Sequence, residues 1–152
     1  MSGLPHEWWR FVLFASIAVL VSAVAEGLGL AIGSTFSVTN GCAVGPALMA
    51  PFLGLAIYGF DFAADIPNLM YGLMKMSFIR GGVISLVLTV FGFQREQLEC
   101  SEVYCHFDDP KVLLRYLRIE NVSLLREVAF MVGLFFFFRI LFYLSLRKKL
   151  YR

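Results

Sequence analysis

No feature of this chain restricts its fold more tightly than the run from Phe11 to Gly33, about 23 residues with Glu26 as the only ionisable side chain. A backbone in hydrocarbon must satisfy its N–H and C=O groups internally, so such a run is a helix. At 1.5 Å per residue it is roughly 34 Å long, enough to cross a bilayer core. Two further runs match it. Cys42 to Phe60 has no charge in 19 residues, and Val128 to Leu146 is interrupted only by Arg139. Pro46 and Pro51 in the second run are tolerable kinks in a membrane helix. The composition agrees, since 59% of the 152 residues are hydrophobic and only 16% charged, with 16 Phe. A small aqueous core cannot hide that many rings, whereas lipid accepts them. The first run also begins behind a positive charge, Arg10, as a cleavable signal peptide does. It is twice as long as a signal core and no small-x-small site leads into polar sequence, so it is expected to remain in the chain.

The connections complete an expected architecture: an all-α membrane protein with three transmembrane helices, a partial membrane domain spanning residues 1–152. Ser34 to Gly41 (STFSVTNG) is a polar, turn-rich link that forces the second helix to run antiparallel to the first. Asp61 ends the second span, and residues 61–127 hold 9 acidic and 7 basic side chains among short apolar stretches. This is one long loop with short re-entrant or amphipathic helices. Ile66 to Met76 has a Pro-initiated helical pattern. Gly82 to Phe93 is an apolar run of about a dozen residues, a length more typical of re-entrant or interfacial segments than of spans. Pro110 to Ile119, behind Asp108 and Asp109, repeats apolar residues at helical spacing. Four of the last six residues, Arg147, Lys148, Lys149 and Arg152, are basic. By the positive-inside rule that tail is cytoplasmic, which puts the loop and the N-terminus, with Arg10, outside. A net charge of +2 carries no argument for nucleic acid.

Several residues invite a functional reading. Cys100 and Cys105 flank a short turn on the side where thiols oxidise, and a disulfide is expected between them. The rival is a metal site with His106, which lacks a fourth ligand. Cys42, at a span end, reads as a small apolar residue. Asn121-Val122-Ser123 is a glycosylation sequon about seven residues before the third span, close enough for steric hindrance. Glu26 and Arg139 are the ionisable groups within spans, each 10 to 12 Å from the cytoplasmic helix end by rough count of helical rise. Either they pair, or Arg139 snorkels to the headgroups while Glu26 takes up a proton or meets a partner, or they mark a transport path. Gly29 and Gly33 form a GxxxG face suited to close helix packing. No GxxxxGK[ST] phosphate loop, GxSxG, HExxH or paired Cys-x-x-Cys pattern occurs, so the chain has no ATPase or hydrolase motif and no assignable metal site of its own.

The ordered segments VTNGCAVGPALMAPFLGLAIYGFDFAADIPNLMYGLMKMSFIRGG, VFGFQREQLEC, YCHFDDPKVLLRYLRIENVSL and FFFFRILFYLSLRKKL cover most of the chain. Together they resemble the C-terminal half of the membrane domain of G-subfamily (White-type) ABC half-transporters. Phe78 to Gly81 matches that family's xxRxG segment. The resemblance implies that the three spans are the fourth, fifth and sixth helices of a six-helix domain. It implies ATP-driven export of lipids, sterols or other hydrophobic compounds by a homo- or heterodimer of half-transporters. Val44, Leu48, Phe52 and Leu55 would then lie near the substrate route. The family's ATPase domain and first three helices have no counterpart here, so ATP and Mg would act only through a domain absent from this chain. The chain is then expected to be a fragment of an exporter. The alternative is a membrane binding or regulatory protein that associates with a full-length transporter subunit.

Overall fold

The computed structural model describes residues 8–58, 68–92, 110–117, 119 and 122–151. Cys100, Cys105, His106 and Asn121 lie outside them, as do all of residues 93–109. The described residues form six helices: α1 (Trp8–Thr35), α2 (Val38–Tyr58), α3 (Asn68–Met76), α4 (Phe78–Phe91), α5 (Pro110–Tyr116) and α6 (Leu124–Leu150). Three of them, α1, α2 and α6, are long and apolar enough to cross a membrane. Each begins earlier than its apolar run does, because the polar flanks are also helical. Ser34 and Thr35 finish α1, and Val38 to Gly41 start α2, so the eight-residue link expected from the sequence shrinks to Phe36 and Ser37. The hydroxyls make this extension possible. Ser34 Oγ donates to the Ala31 carbonyl at 2.9 Å and Thr35 Oγ1 to those of Ala31 and Ile32 at 2.9 and 3.0 Å, so the polar side chains of the last turn bond back onto the helix.

The long helices are inverted relative to a water-soluble bundle. Trp8, Phe136, Phe137, Ile140, Tyr143 and Leu144 all point outward. An aqueous protein would hide such a surface, whereas lipid tails solvate it. The interior is small: Ile17, Val24 and Leu28 of α1 meet Phe78 of α4 and Met131 of α6. A second cluster sets Ile84 and Leu88 of α4 against Ile119, with Leu114 of α5 beside it.

Helices α1 and α6 run parallel. Gly27 sits against Phe138, Glu26 bonds Arg139, and Ser34 and Thr35 share a cleft with Ser145 and Lys148. Helix α4 runs antiparallel to α1, from Gly82 beside Val21 to Gly92 beside Arg10. Val21 is about 20 Å from either end of α1 by helical rise. The α4 helix therefore starts beside the midpoint of α1 and climbs only along its N-terminal half. It touches all five other helices and is the hub of the fold.

The close approaches are made by glycines, but not by those of the GxxxG face. A Cβ on Gly29 or Gly33 would meet nothing within 4 Å, so that face looks outward instead of packing. The contacts instead use Gly27, where a Cβ would lie 3.2 Å from Phe138 Cβ, and Gly82, where it would lie 2.7 Å from Val21 Cγ2. Motif spacing marks small residues on one helix face but cannot say which face has a neighbour. Opposite signs are expected for two equivalent substitutions. Gly82→Ala must push aside a stiff β-branched side chain and should destabilise by about 1–3 kcal/mol. Gly29→Ala should stabilise by up to about 1 kcal/mol through helix propensity alone. Thermal unfolding in one detergent checks both; equal shifts would contradict the packing described.

Candidate functional site

The candidate site consists of the polar groups that an apolar bundle has to accommodate, and three such places stand out. The first is the α3–α4 junction. Ser77, 1% exposed, ends one helix and caps the next. Its Oγ accepts from the Arg80 N–H at 3.4 Å and donates to the Phe52 carbonyl of α2 at 2.9 Å. The Phe52 and Phe78 rings pack 5.6 Å apart between centroids at the same level. One hydroxyl thus starts α4 and ties it to α2. Beside it lies a cleft of ≈ 40 Å³ bordered by Lys75, Arg80, Gly81 and Glu127. Gly81 is what admits the carboxylate, since a Cβ there would be 3.1 Å from Glu127 Oε2.

The second place is the other end of α4. Arg10, only 7% exposed, donates from Nη1 to the Gly92 carbonyl at 3.0 Å and to that of Thr89 at a longer 3.5 Å. Its guanidinium also lies 4.9 Å from the Trp9 ring centroid. A helix C-terminus carries unsatisfied carbonyls and a partial negative charge, and a planar cation with several N–H groups suits both. The Gly92 N–H closes back on the Leu88 carbonyl at 2.8 Å, and a Cβ on Gly92 would collide with that same oxygen. From sequence, Arg10 reads as a positive charge flanking the first span. In the fold it is a long-range cap, joining residues 79 and 82 positions away.

The third place is the pair expected from sequence. Arg139 Nη2 donates to Glu26 Oε1 at 3.3 Å, and the Arg139 guanidinium lies 5.2 Å from the Phe135 ring centroid. The pair stands on the outer surface of the α1–α6 seam, with side chains 38% (Arg139) and 59% (Glu26) exposed. It is one monodentate contact, about 14 Å from the end of α1 by helical rise. At that depth two half-exposed charges are costly unless protein or water covers them.

The residues placed on the substrate route by resemblance share one face of α2 at spacings of four, four and three, but the fold does not treat them alike. Phe52 is drawn into the packing against Phe78, Val44 and Leu55 are half-buried, and Leu48 remains exposed. Cys42 is an exposed free thiol in the first turns of α2. Among the described residues no three His, Cys, Asp or Glu side chains gather as a metal site would require. No protein-family model matches the chain.

Ser77 and Arg10 are the residues that reading by sequence missed. A Ser between two helical patterns is a recognisable cap, but nothing local marks Arg10, whose partners come from another helix. Arg10→Leu would leave the Gly92 and Thr89 carbonyls short of a donor and should cost about 1–3 kcal/mol. Faster amide exchange in the last turn of α4 would accompany it, with partial recovery in Arg10→Lys; unchanged exchange would refute the cap. The Glu26–Arg139 contact is tested by a double-mutant cycle of Glu26→Gln and Arg139→Met. In detergent, where water screens so exposed a pair, the coupling should not exceed about 1 kcal/mol. It should grow in lipid nanodiscs, and strict additivity in both media would exclude a working pair.

Proposed function

We propose that this chain is part of the membrane domain of an ATP-driven exporter of hydrophobic compounds such as lipids or sterols, resembling the White-type G-subfamily half-transporters. The observation that carries the reading is the half-exposed Glu26–Arg139 pair on the outer surface of two membrane-length helices. A charge pair facing hydrocarbon requires a neighbour, and further helices of one membrane domain, or a partner half-transporter, would supply it. Two other observations support the reading. The parallel course of α1 and α6, with α2 between them in the chain, suits three crossings with the N-terminus outside and the basic C-terminus cytoplasmic. The half-length α4, entered through a capped turn at the depth of Phe52, suits a re-entrant segment in the long external loop. Backbone ends at such a depth persist only where protein satisfies them.

In this reading ATP and Mg act on a phosphate-loop domain carried outside this chain, and α2 borders the path of the exported compound. Leu48, the exposed member of the α2 face, is the side chain most available to that compound. The same exposed pair would serve the alternative, a regulatory membrane protein seated against a full-length subunit.

Sequencing the transcript across the codon for Met1 separates the two. An in-frame continuation into a phosphate-loop ATPase is the expected result; a transcript that starts there overturns the exporter reading in favour of the regulator. In the assembled exporter, Leu48→Gln should lower ATP-driven efflux of a fluorescent phospholipid by about tenfold with abundance unchanged, as an amide placed on an apolar path costs on the order of 1–2 kcal/mol.

A further inference from the structure

We propose that the C-terminal ends of α1 and α6 form a binding site for the phosphate headgroup of an anionic phospholipid, with the lipid's acyl chains lying along α6. The inference needs only the membrane-length helices and does not depend on the transport reading.

Two clefts meet at this end of the bundle. One, of ≈ 310 Å³, lies between the helices and is lined by Ser34 and Thr35 of α1 and by Ser145, Lys148 and Lys149 of α6. The other is a shallow, open depression lined by Leu144, Arg147, Lys148 and Tyr151. Lys148 borders both. No acidic side chain among the described residues lines either cleft, so three cations converge there without a lining carboxylate. The Arg147 guanidinium lies 5.8 Å from the Tyr151 ring centroid, which restrains it at the rim.

Helix C-termini ordinarily draw cations to their own carbonyls. At the end of α1 the Ser34 and Thr35 hydroxyls turn inward onto its own backbone, adding donors to the Ala31 and Ile32 carbonyls. No hydrogen bond or ion pair engages the side chain of Lys148 or Lys149 among the described residues, which leaves both ammonium groups available to an external anion. A phosphate is a suitable one, since it is compact, strongly charged and a hydrogen-bond acceptor throughout.

The apolar part of the surface identifies a lipid over a soluble phosphate. On α6, Phe137, Ile140 and Leu144 are all more than half exposed, and their spacings of three and four residues set them on one face. Lys148 continues that face one turn beyond Leu144, which itself lines the cleft. The surface thus has the order of an amphiphile, an apolar stripe running into a cationic pocket. Anionic lipids are concentrated in the cytoplasmic leaflet, the side to which the positive-inside rule assigns this end.

The test uses the full chain in phosphatidylcholine nanodiscs and a phosphatidylserine probe bearing a photoreactive group in its acyl chain. Cross-links are expected between Phe137 and Leu144. They should be competed by unlabelled phosphatidylserine, but not by phosphatidylcholine or inorganic phosphate. At about fivefold per basic residue near the surface, Lys148→Gln with Lys149→Gln should weaken labelling roughly 30-fold. The Arg replacements at both positions should retain labelling, which separates lost charge from lost folding. Labelling spread over all spans, or equal labelling by a phosphatidylcholine probe, would overturn the site. Competition by inorganic phosphate would assign the clefts to a soluble anion and overturn the lipid.

Discussion

A helix too short to cross a bilayer must still satisfy both of its ends, and the fold is organised around how α4 does so. At its start, Ser77 accepts from the first turn and donates to Phe52 of α2. At its finish, Arg10 of α1 bonds the Gly92 and Thr89 carbonyls. The caps that stabilise α4 are therefore also the links that hold it to α1 and α2. An orphaned backbone group in apolar surroundings costs several kcal/mol, far more than a surface contact contributes. The packing of Gly82 on Val21 and of Phe78 on Met131 then fills the space those bonds define.

The same principle, that polar groups in hydrocarbon must be covered, governs the Glu26–Arg139 pair with the opposite outcome. Arg10 is covered by its own chain and is 7% exposed, whereas the carboxylate of the pair stays 59% exposed. A chain that caps one arginine so completely and leaves another at its surface separates two roles: one cation holds the fold together and the other stands at the outer surface of the bundle. The basic end of α6 is a third case, in which cations would meet an anionic membrane surface at the proposed lipid site.

Much of this was legible in the sequence. The three long helices follow from apolar length, α3 and α5 fall within the helical patterns of Ile66 to Met76 and Pro110 to Ile119, and α4 overlaps the apolar run Gly82 to Phe93 but begins four residues before it. The meeting of Glu26 and Arg139 follows from ionisable groups at similar depth in two spans. Which helix face has a neighbour was not legible. Gly29 and Gly33 satisfy a packing motif but face outward, while Gly27 and Gly82, which match no motif, make the contacts. Phe52, which the resemblance sets near the substrate route, packs against Phe78.

The sequence by itself determined that three segments are helices of membrane-crossing length, because an apolar run that long must satisfy its backbone hydrogen bonds internally. It also set the charge of the tail and the depth of the two intramembrane ionisable groups. Only the tertiary structure decided which side of each helix has a neighbour. These helices are apolar all round, so no amphipathic stripe announces the buried face. That choice is made by close approach at glycines and by bonds between residues about 80 positions apart, such as Arg10 to Gly92. Such bonds exist only once the helices have packed.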